Sequence, residues 1–532
     1  MPVVEKWGTM DLAFCGRSDG NPFMDYNIIG TFSGGNPKET KRAEGFYDGN
    51  GVYRIRFMPS SQGIYHYEIE GSFMSEKTDR NMLQGDFEVS SAGADNHGPV
   101  RVYEETHLLY EDGTPYYSMG TTCYAWTHQK MELQEQTLDT LEHSPFNKIR
   151  FCIFPKFYDY NRKEPLTYPF VRGNGEGQDP ELIELEKQNL FLFPGQIAPE
   201  WDRDFDYTRP NTEHFQRLDL RIRQLRDLGI EADIILMHPY DRWGMNTIGK
   251  DAIDSYLRYC VARFSAYRNV WWSLANEYDL IKTRTVEDWD HYGELIQSTD
   301  PYDHLRSVHN CMPFYDYTKP WVTHCSMQRQ DFYKTTEDTD LHMKTYCKPV
   351  VWDEIAYEGN IQLGWGNITA QELVRRFWEA FMRGGHAGHG ETFLDPEEIL
   401  WWSHGGPLKG ESAPRIQFLL DILKDTPGKY VKKTGSMFDC VNCVPSYIEK
   451  EDIPFNIMSA DYEIDYFGIM QPAFREIMLA EDKQFRVEII DTWNMTIEDA
   501  GIHSGFTRIS MPGNQYMALR IIRVNNSREV LS

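Results

Sequence analysis

Residues 270–279 read VWWSLANEYD, and residues 349–354 read PVVWDE. Each is an uninterrupted apolar run that stops at a carboxylate, Glu277 in one and Glu354 in the other. A strand covered on both faces reads as continuous apolar residues rather than an alternation. Parallel strands covered on both faces belong to α/β proteins, and in a closed barrel the carboxyl ends of the strands carry the chemistry.

Six further segments read as strands: YYSMGT (116–121), FNKIRFCIF (146–154), EADIILMH (231–238), LRSVHN (305–310), WVTHCSM (321–327) and HAGHGETF (386–393). Helical stretches separate them. Thr285–Asp288 and Thr369–Glu372 fit the capping box, in which a threonine oxygen and a carboxylate satisfy free N–H groups. FQRLDLRIRQLRDLGI runs into Gly229, a helix stop. Eight such units predict a (β/α)8 barrel over residues 99–432. Its largest interruption, about 155–211, is predicted to be irregular. Its aromatics (Phe157, Tyr158, Tyr160, Tyr168, Phe170, Trp201, Tyr207) favour a functional loop over a spacer. GNGEG at 173–177 has no strand before it and acidic neighbours, so it is not a phosphate loop.

The flanks read as β structure. GVYRIRF and GIYHYEIEGSF alternate on either side of PSSQG, which is hairpin grammar, and residues 1–98 are predicted to form an immunoglobulin-like sandwich. LLYEDGTPYYSMG predicts a hairpin turning at Asp112–Gly113. YEIDYFG, FRVEIIDTW and MALRIIRV predict a small β-sandwich over 433–532.

The formal net charge of −27 over 532 residues repels phosphate backbones, so nucleic acid is not an expected partner. The same charge disfavours an anionic membrane surface, and no apolar run reaches the ~18 residues of a membrane span. MPVVEKWGTMDLAFCGRSDG lacks the basic and apolar regions of a signal peptide. Nine cysteines, scattered through apparent core strands, fit reduced thiols. A cytoplasmic location is therefore expected. The lone pair Cys440–Cys443 has no second ligand pair beside it and reads as structural rather than metal-binding.

A closed barrel brings the ends of strands four and seven to one mouth, although 354 − 277 = 77 positions separate Glu277 from Glu354. Two facing carboxylates suit cleavage of a glycosidic bond: one protonates the leaving oxygen, and the other attacks or stabilises the sugar carbon. Asp353 is the rival to Glu354, and strict alternation sends these neighbours to opposite faces.

Asn276–Glu277 after an apolar strand, with a glutamate ending strand seven, resembles the (β/α)8 retaining glycoside hydrolases. LANEYD (274–279), PVVWDEIAYEGN (349–360) and the flanking β domains resemble the apiosidase-like bacterial hydrolases over nearly the whole chain. The resemblance implies Glu277 as acid/base and Glu354 as nucleophile. It also implies Arg150 as a cation near the nucleophile and Asn276 as a ligand of the sugar 2-hydroxyl. It does not carry over the sugar, because members active on apiose can have Asp at the acid position. Strand eight ends in GHGETF where the broader clan has Trp, so Trp365, Trp401 or Trp402 is expected to wall the sugar site.

His238 and His309 end strands three and five and are candidate hydroxyl binders. Trp126, just after strand one, is a candidate stacking surface. His386, His389 and Glu391 gather near strand eight, but metal-dependent barrel hydrolases of the amidohydrolase type need an HxH on strand one. This one ends TTCYAW, so no metal or other cofactor is expected in catalysis. The reading is a glycoside hydrolase that cleaves β-linked, plant-derived oligosaccharides or glycosides with retention. An inverting enzyme and a non-catalytic carbohydrate-binding barrel remain alternatives, and the oligomeric state is open.

Overall fold

The computed structural model describes residues 1–189, 199–329, 331, 334–426, 430–432, 441–445 and 462–524. Its centre is one eight-stranded, all-parallel sheet. The strands are β1 (Met119–Thr122), β2 (Lys148–Cys152), β3 (Glu231–Met237), β4 (Val270–Ala275), β5 (Arg306–Ser307), β6 (Cys325–Gln328), β7 (Val350–Glu354) and β8 (His386–His389). The spatial order is β5-β4-β3-β2-β1-β8-β7-β6, the sequential circuit of a barrel. Every residue of these strands is buried, which is why β4 and β7 read as apolar runs up to their ends, while β2 and β3 also turn charged side chains inward.

The circuit is nearly closed. β5 and β6 share no ladder, and the seam is tied mostly by side chains. Thr323 N–H donates to Arg306 O at 2.9 Å. Ser307 Oγ donates to His324 O at 2.6 Å and accepts from Ser326 N–H at 3.3 Å. Gln328 N–H donates to Asn310 Oδ1 at 3.1 Å. These bonds satisfy backbone groups that a missing ladder would leave orphaned.

Helices α1 (Met131–Glu142), α2 (Thr212–Asp227), α3 (Lys250–Phe264), α4 (Val286–Thr299), α5 (Thr339–Tyr346), α6 (Ala370–Met382) and α7 (Ser412–Lys424) follow the strands, with no helix between β5 and β6 among the described residues. Both halves of the capping box form at Thr285 and Asp288. At Thr369 only the half donated by Glu372 N–H forms. Gly229 takes the left-handed conformation at φ 72° just past α2, the usual stop for a helix.

A two-stranded sheet, Val100–Tyr103 with His107–Tyr110, comes just before the barrel, and two larger sheets precede it. One has five strands and the other three, and Phe32, Phe57, Tyr65 and Phe87 meet between them. The predicted hairpin across PSSQG does not form. Val52–Phe57 pairs in the three-stranded sheet and Gln62–Glu70 in the five-stranded one. The turn passes the chain between sheets, and the apolar faces of both strands meet in the shared core. Arg56 anchors this unit to the barrel: its Nη1 and Nη2 hold both oxygens of Asp219 at 2.6 and 3.1 Å, and Arg263 holds the same carboxylate at 2.5 Å.

After α7 comes a six-stranded sheet with a two-stranded companion. Tyr466 stacks on Trp378 of α6 at 5.2 Å, while Val487, Leu519 and Ile521 face the companion strands. Cys440 lies outside the described residues, so the Cys440–Cys443 pair is not described.

The described parts of the 155–211 segment carry more regular structure than its composition predicts. Phe170–Arg172 pairs with Phe205–Pro210, and Pro180–Gln188 is helical. Phe170 and Tyr207 pack into the main core, where Phe170 lies 6.0 Å from Phe154 and 5.8 Å from Tyr256. Most of its aromatics are therefore spent on packing. Among the described residues no helix is long and apolar enough to cross a membrane.

Candidate active site

Beneath the mouth, the barrel interior holds a polar floor. Lys148 and Arg150 alternate on β2 and point inward. Lys148 Nζ bridges Asp233 Oδ2 at 2.9 Å and Asp353 Oδ1 at 2.6 Å. Arg150 Nε lies 3.3 Å from Asp233 Oδ2, and its Nη1 lies 4.0 Å from Glu354 Oε1. Ser326 Oγ donates to Asp353 Oδ2 at 2.5 Å. With two cations beside it, Asp353 is held well below the usual carboxylate range in spite of complete burial.

Asp353 and Glu354 break the expected alternation. On β6 Met327 faces Trp352, but the next residue, Gln328, faces Glu354, so Asp353 is the extra residue of a bulge. Trp352 turns outward to Thr339. Asp353 then points into the floor, and the bulge aims Glu354 at the mouth. Both neighbours are interior.

Glu277 follows β4 in the left-handed region, φ 51° and ψ 55°. That conformation costs a non-glycine residue roughly 1–2 kcal/mol, and such strain gathers at functional sites. Gln328 Nε2 donates to its Oε1 at 3.1 Å, Asn276 Nδ2 donates to its Oε2 at 3.3 Å, and the Tyr240 hydroxyl donates to the same oxygen. Tyr124 joins the two carboxylates: its hydroxyl lies against Glu354 Oε1 and 3.1 Å from Asn276 Oδ1. Glu277 and Glu354 thus belong to one hydrogen-bonded network. Burial first, and the charge of Glu277 second, push Glu354 up to about 7. Arg150 pulls it down but does not win, since its Nε is engaged on the floor. Arg150 is thus the cation near Glu354 that the resemblance implies, but it does not keep this carboxyl low.

An aromatic ring surrounds the pair. Trp402 lies 5.0 Å from Trp365, 5.9 Å from Tyr124 and 6.0 Å from Tyr158, and Tyr357 lies 6.0 Å from Trp365. Inside it sits Lys156, whose Nζ lies 3.8 Å from the Tyr124 ring centre, 4.4 Å from Tyr240, 4.6 Å from Trp402 and 5.4 Å from Tyr158. This ammonium makes no hydrogen bond or ion pair among the described residues. Burial lowers its pKa, and both glutamates oppose that.

The structure gathers Glu277, Glu354, Asn276, Arg150, Trp365 and Trp402, and it separates three other candidates from the mouth. Trp126 is wholly buried against Phe151, which faces outward between Arg150 and Cys152. It is core packing, away from the mouth. His238 has both ring nitrogens engaged by backbone: Nε2 at 3.1 Å from Phe154 O, and Nδ1 accepting from Tyr240 N–H at 3.2 Å. Burial pushes it down to about 3, so it is a neutral brace that positions Tyr240. His309 is wholly buried beside Arg150 and Asp353 and held neutral by burial and by Arg150. It has no surface to offer a hydroxyl. Trp401 points to Thr121, its Nε1 2.8 Å from Oγ1.

Sequence reasoning missed Tyr124, Lys156, Tyr240, Gln328 and Tyr357. Each lies within four residues of the C-terminal end of a barrel strand, so strand-end position was the available signal.

A nearly closed parallel barrel whose fourth and seventh strands lead into paired carboxylates defines the class as a barrel glycoside hydrolase. A family model described as the apiosidase-like catalytic domain matches residues 103–393, more than half of the chain. Two domains of unknown function flank it, DUF5060 at 3–72 and DUF5605 at 452–522. A crystal structure from Bacteroides vulgatus, provisionally described as a glycoside hydrolase, is 35% identical over 98% of this chain and 100% of its own, with a TM-score of 0.85. A glycoside hydrolase family 5 protein from the same species shares the fold at 15% identity, covering 82% of this chain and 97% of its own, with a TM-score of 0.57. A search of the curated proteins finds no match. The chain belongs to the apiosidase-like family of glycoside hydrolases.

Proposed function

We propose that the chain is a retaining β-glycosidase acting on small oligosaccharides or glycosides of plant origin. Glu354 attacks the anomeric carbon. The glycosidic C–O bond breaks, and its electron pair takes a proton from Glu277. Glu277 then removes a proton from water, which attacks the glycosyl ester and frees Glu354. The observation that carries this reading is the single network in which Tyr124 and Asn276 couple the two carboxylates.

Lys156 supplies three unused N–H donors beside the pair, and we assign it to sugar hydroxyls. Trp365, Trp402 and Tyr158 offer rings for a sugar face. The test is proton NMR of the first product formed from aryl β-glycosides of apiose, arabinose, xylose, galactose and glucose. Initial release of the β-anomer supports retention. Initial release of the α-anomer establishes inversion, and no turnover on any substrate favours a binding barrel.

A further inference from the structure

Beyond the ends of β7 and β8 the chain forms a second parallel ladder, Glu358–Gly359 with Glu391–Thr392, in which Glu358 and Glu391 are direct partners. Both carboxylates are buried, at 3% and 1% exposure. Like charges placed side by side on a ladder repel, and a buried carboxylate needs a counter-charge. No lysine or arginine side chain pairs with either among the described residues. Backbone groups do part of the work: Glu411 and Ser412 N–H donate to Glu358 at 2.7 and 3.1 Å, and Lys409 N–H donates to Glu391 Oε2 at 2.7 Å.

Two buried atoms remain without a hydrogen bond, Glu391 Oε1 and His389 Nε2. They lie 3.6 Å apart, too long for a hydrogen bond between them. Donors held at ~2.0–2.1 Å around a tetrahedral zinc lie about 3.4 Å from one another. One ligand atom each from Glu358, His389 and Glu391 falls within 4.8 Å of the others. Adjacent groups fix the ring of His389. Its Nδ1 lies 3.0 Å from Thr121 Oγ1, and it stacks on Phe146 at 4.4 Å. The 409–412 turn wraps closely: a Cβ at Gly410 would stand 2.5 Å from a Glu358 oxygen.

We propose that Glu358, His389 and Glu391 bind a divalent transition-metal ion of the zinc class in a structural role. One imidazole nitrogen and two carboxylates suit such an ion better than calcium, which prefers an all-oxygen shell. Its charge balances the two glutamates. His386 is outside the set, since its Nδ1 accepts from Ser118 N–H at 3.1 Å. The ion ties the extensions of β7 and β8 to the start of α7. It thereby steadies the segment that carries Tyr357 and Trp365 into the aromatic ring of the mouth.

The test uses the full chain without a metal-binding tag, stripped with EDTA and titrated with Zn2+ by calorimetry. The expected result is one equivalent bound more tightly than about 1 µM, with a raised Tm. Glu391→Gln and His389→Gln should each weaken binding at least ~100-fold, while Glu277→Gln at the mouth leaves it unchanged. If the buried variants do not fold, the Co2+ spectrum of the unaltered chain decides: intense tetrahedral visible bands support the site, and the weak bands of an octahedral ion overturn it. Absence of Zn2+ binding, equal binding by Glu391→Gln, or loss of binding in Glu277→Gln also overturns it.

Discussion

On the barrel floor, Asp353 is bracketed by Lys148, Arg150 and Ser326 and stays ionised far below the usual carboxylate range. One residue later, Glu354 reaches the mouth, where tyrosines and a lysine caged by rings surround it, and it is pushed up to about 7. Both carboxylates are almost fully buried. Burial therefore does not separate them; close cations do. The floor is a completed set of ion pairs. The mouth leaves its charges incompletely paired, which is what a proton-transfer site requires.

Breaking the mouth should cost turnover. Glu354→Ala is expected to lower kcat at least about 10³-fold, because no glycosyl-enzyme can form. Asp353→Asn is expected to keep far more turnover and to lose stability. Steady-state kinetics beside thermal melts of the two variants checks both halves, and a dead but stable Asp353→Asn contradicts the contrast.

Breaking the floor should cost stability. Lys148→Met leaves Asp233 and Asp353 with Arg150 alone, and removing one partner of a buried pair costs about 3–5 kcal/mol. Urea unfolding measures it. A loss under ~1 kcal/mol would show that the floor is not held by these pairs.

Lys156→Met should keep the fold and lower kcat/KM by about 10–100-fold, since its donors face the pair rather than a protein acceptor. An unchanged kcat/KM would make it packing alone.

The smallest expected effect sharpens the electrostatics. Below about 7 Glu354 holds a proton and cannot attack, so kcat/KM should rise as pH passes through about 7. In Glu277→Gln, assayed on a dinitrophenyl glycoside that needs no acid, activity tracks ionised Glu354 alone. Removing the Glu277 charge removes a cause of its raised pKa, so the rising limb should move to lower pH by about one unit. An unmoved limb means the two carboxylates do not interact.

The same contrast marks what the sequence makes legible. All eight barrel strands were readable, because burial on both faces makes most of them largely apolar and helical stretches with start and stop signals separate them. Glu277 and Glu354 were readable because each interrupts an apolar run. The bulge at Asp353 was not, since it depends on the register against Gln328. Lys156 was hidden for a related reason: its cage draws on Tyr124, Tyr158, Tyr240 and Trp402, from four separate parts of the chain. Trp126 and His238 sit at strand ends but turn to the core and to backbone, which strand position alone does not reveal. The crossing at PSSQG followed from tertiary packing, because alternation is the same in a hairpin and in a sandwich corner.

The central claim is that Glu354, and not its neighbour Asp353, forms the covalent bond. A 2-deoxy-2-fluoro glycoside with a dinitrophenyl leaving group, chosen to match an active substrate, slows breakdown of the glycosyl-enzyme more than its formation. Peptide mass spectrometry of the trapped protein should then place one sugar on Glu354 within PVVWDE. A sugar on Asp353, or release of the leaving group with no covalent adduct and an inverted product, would contradict the account.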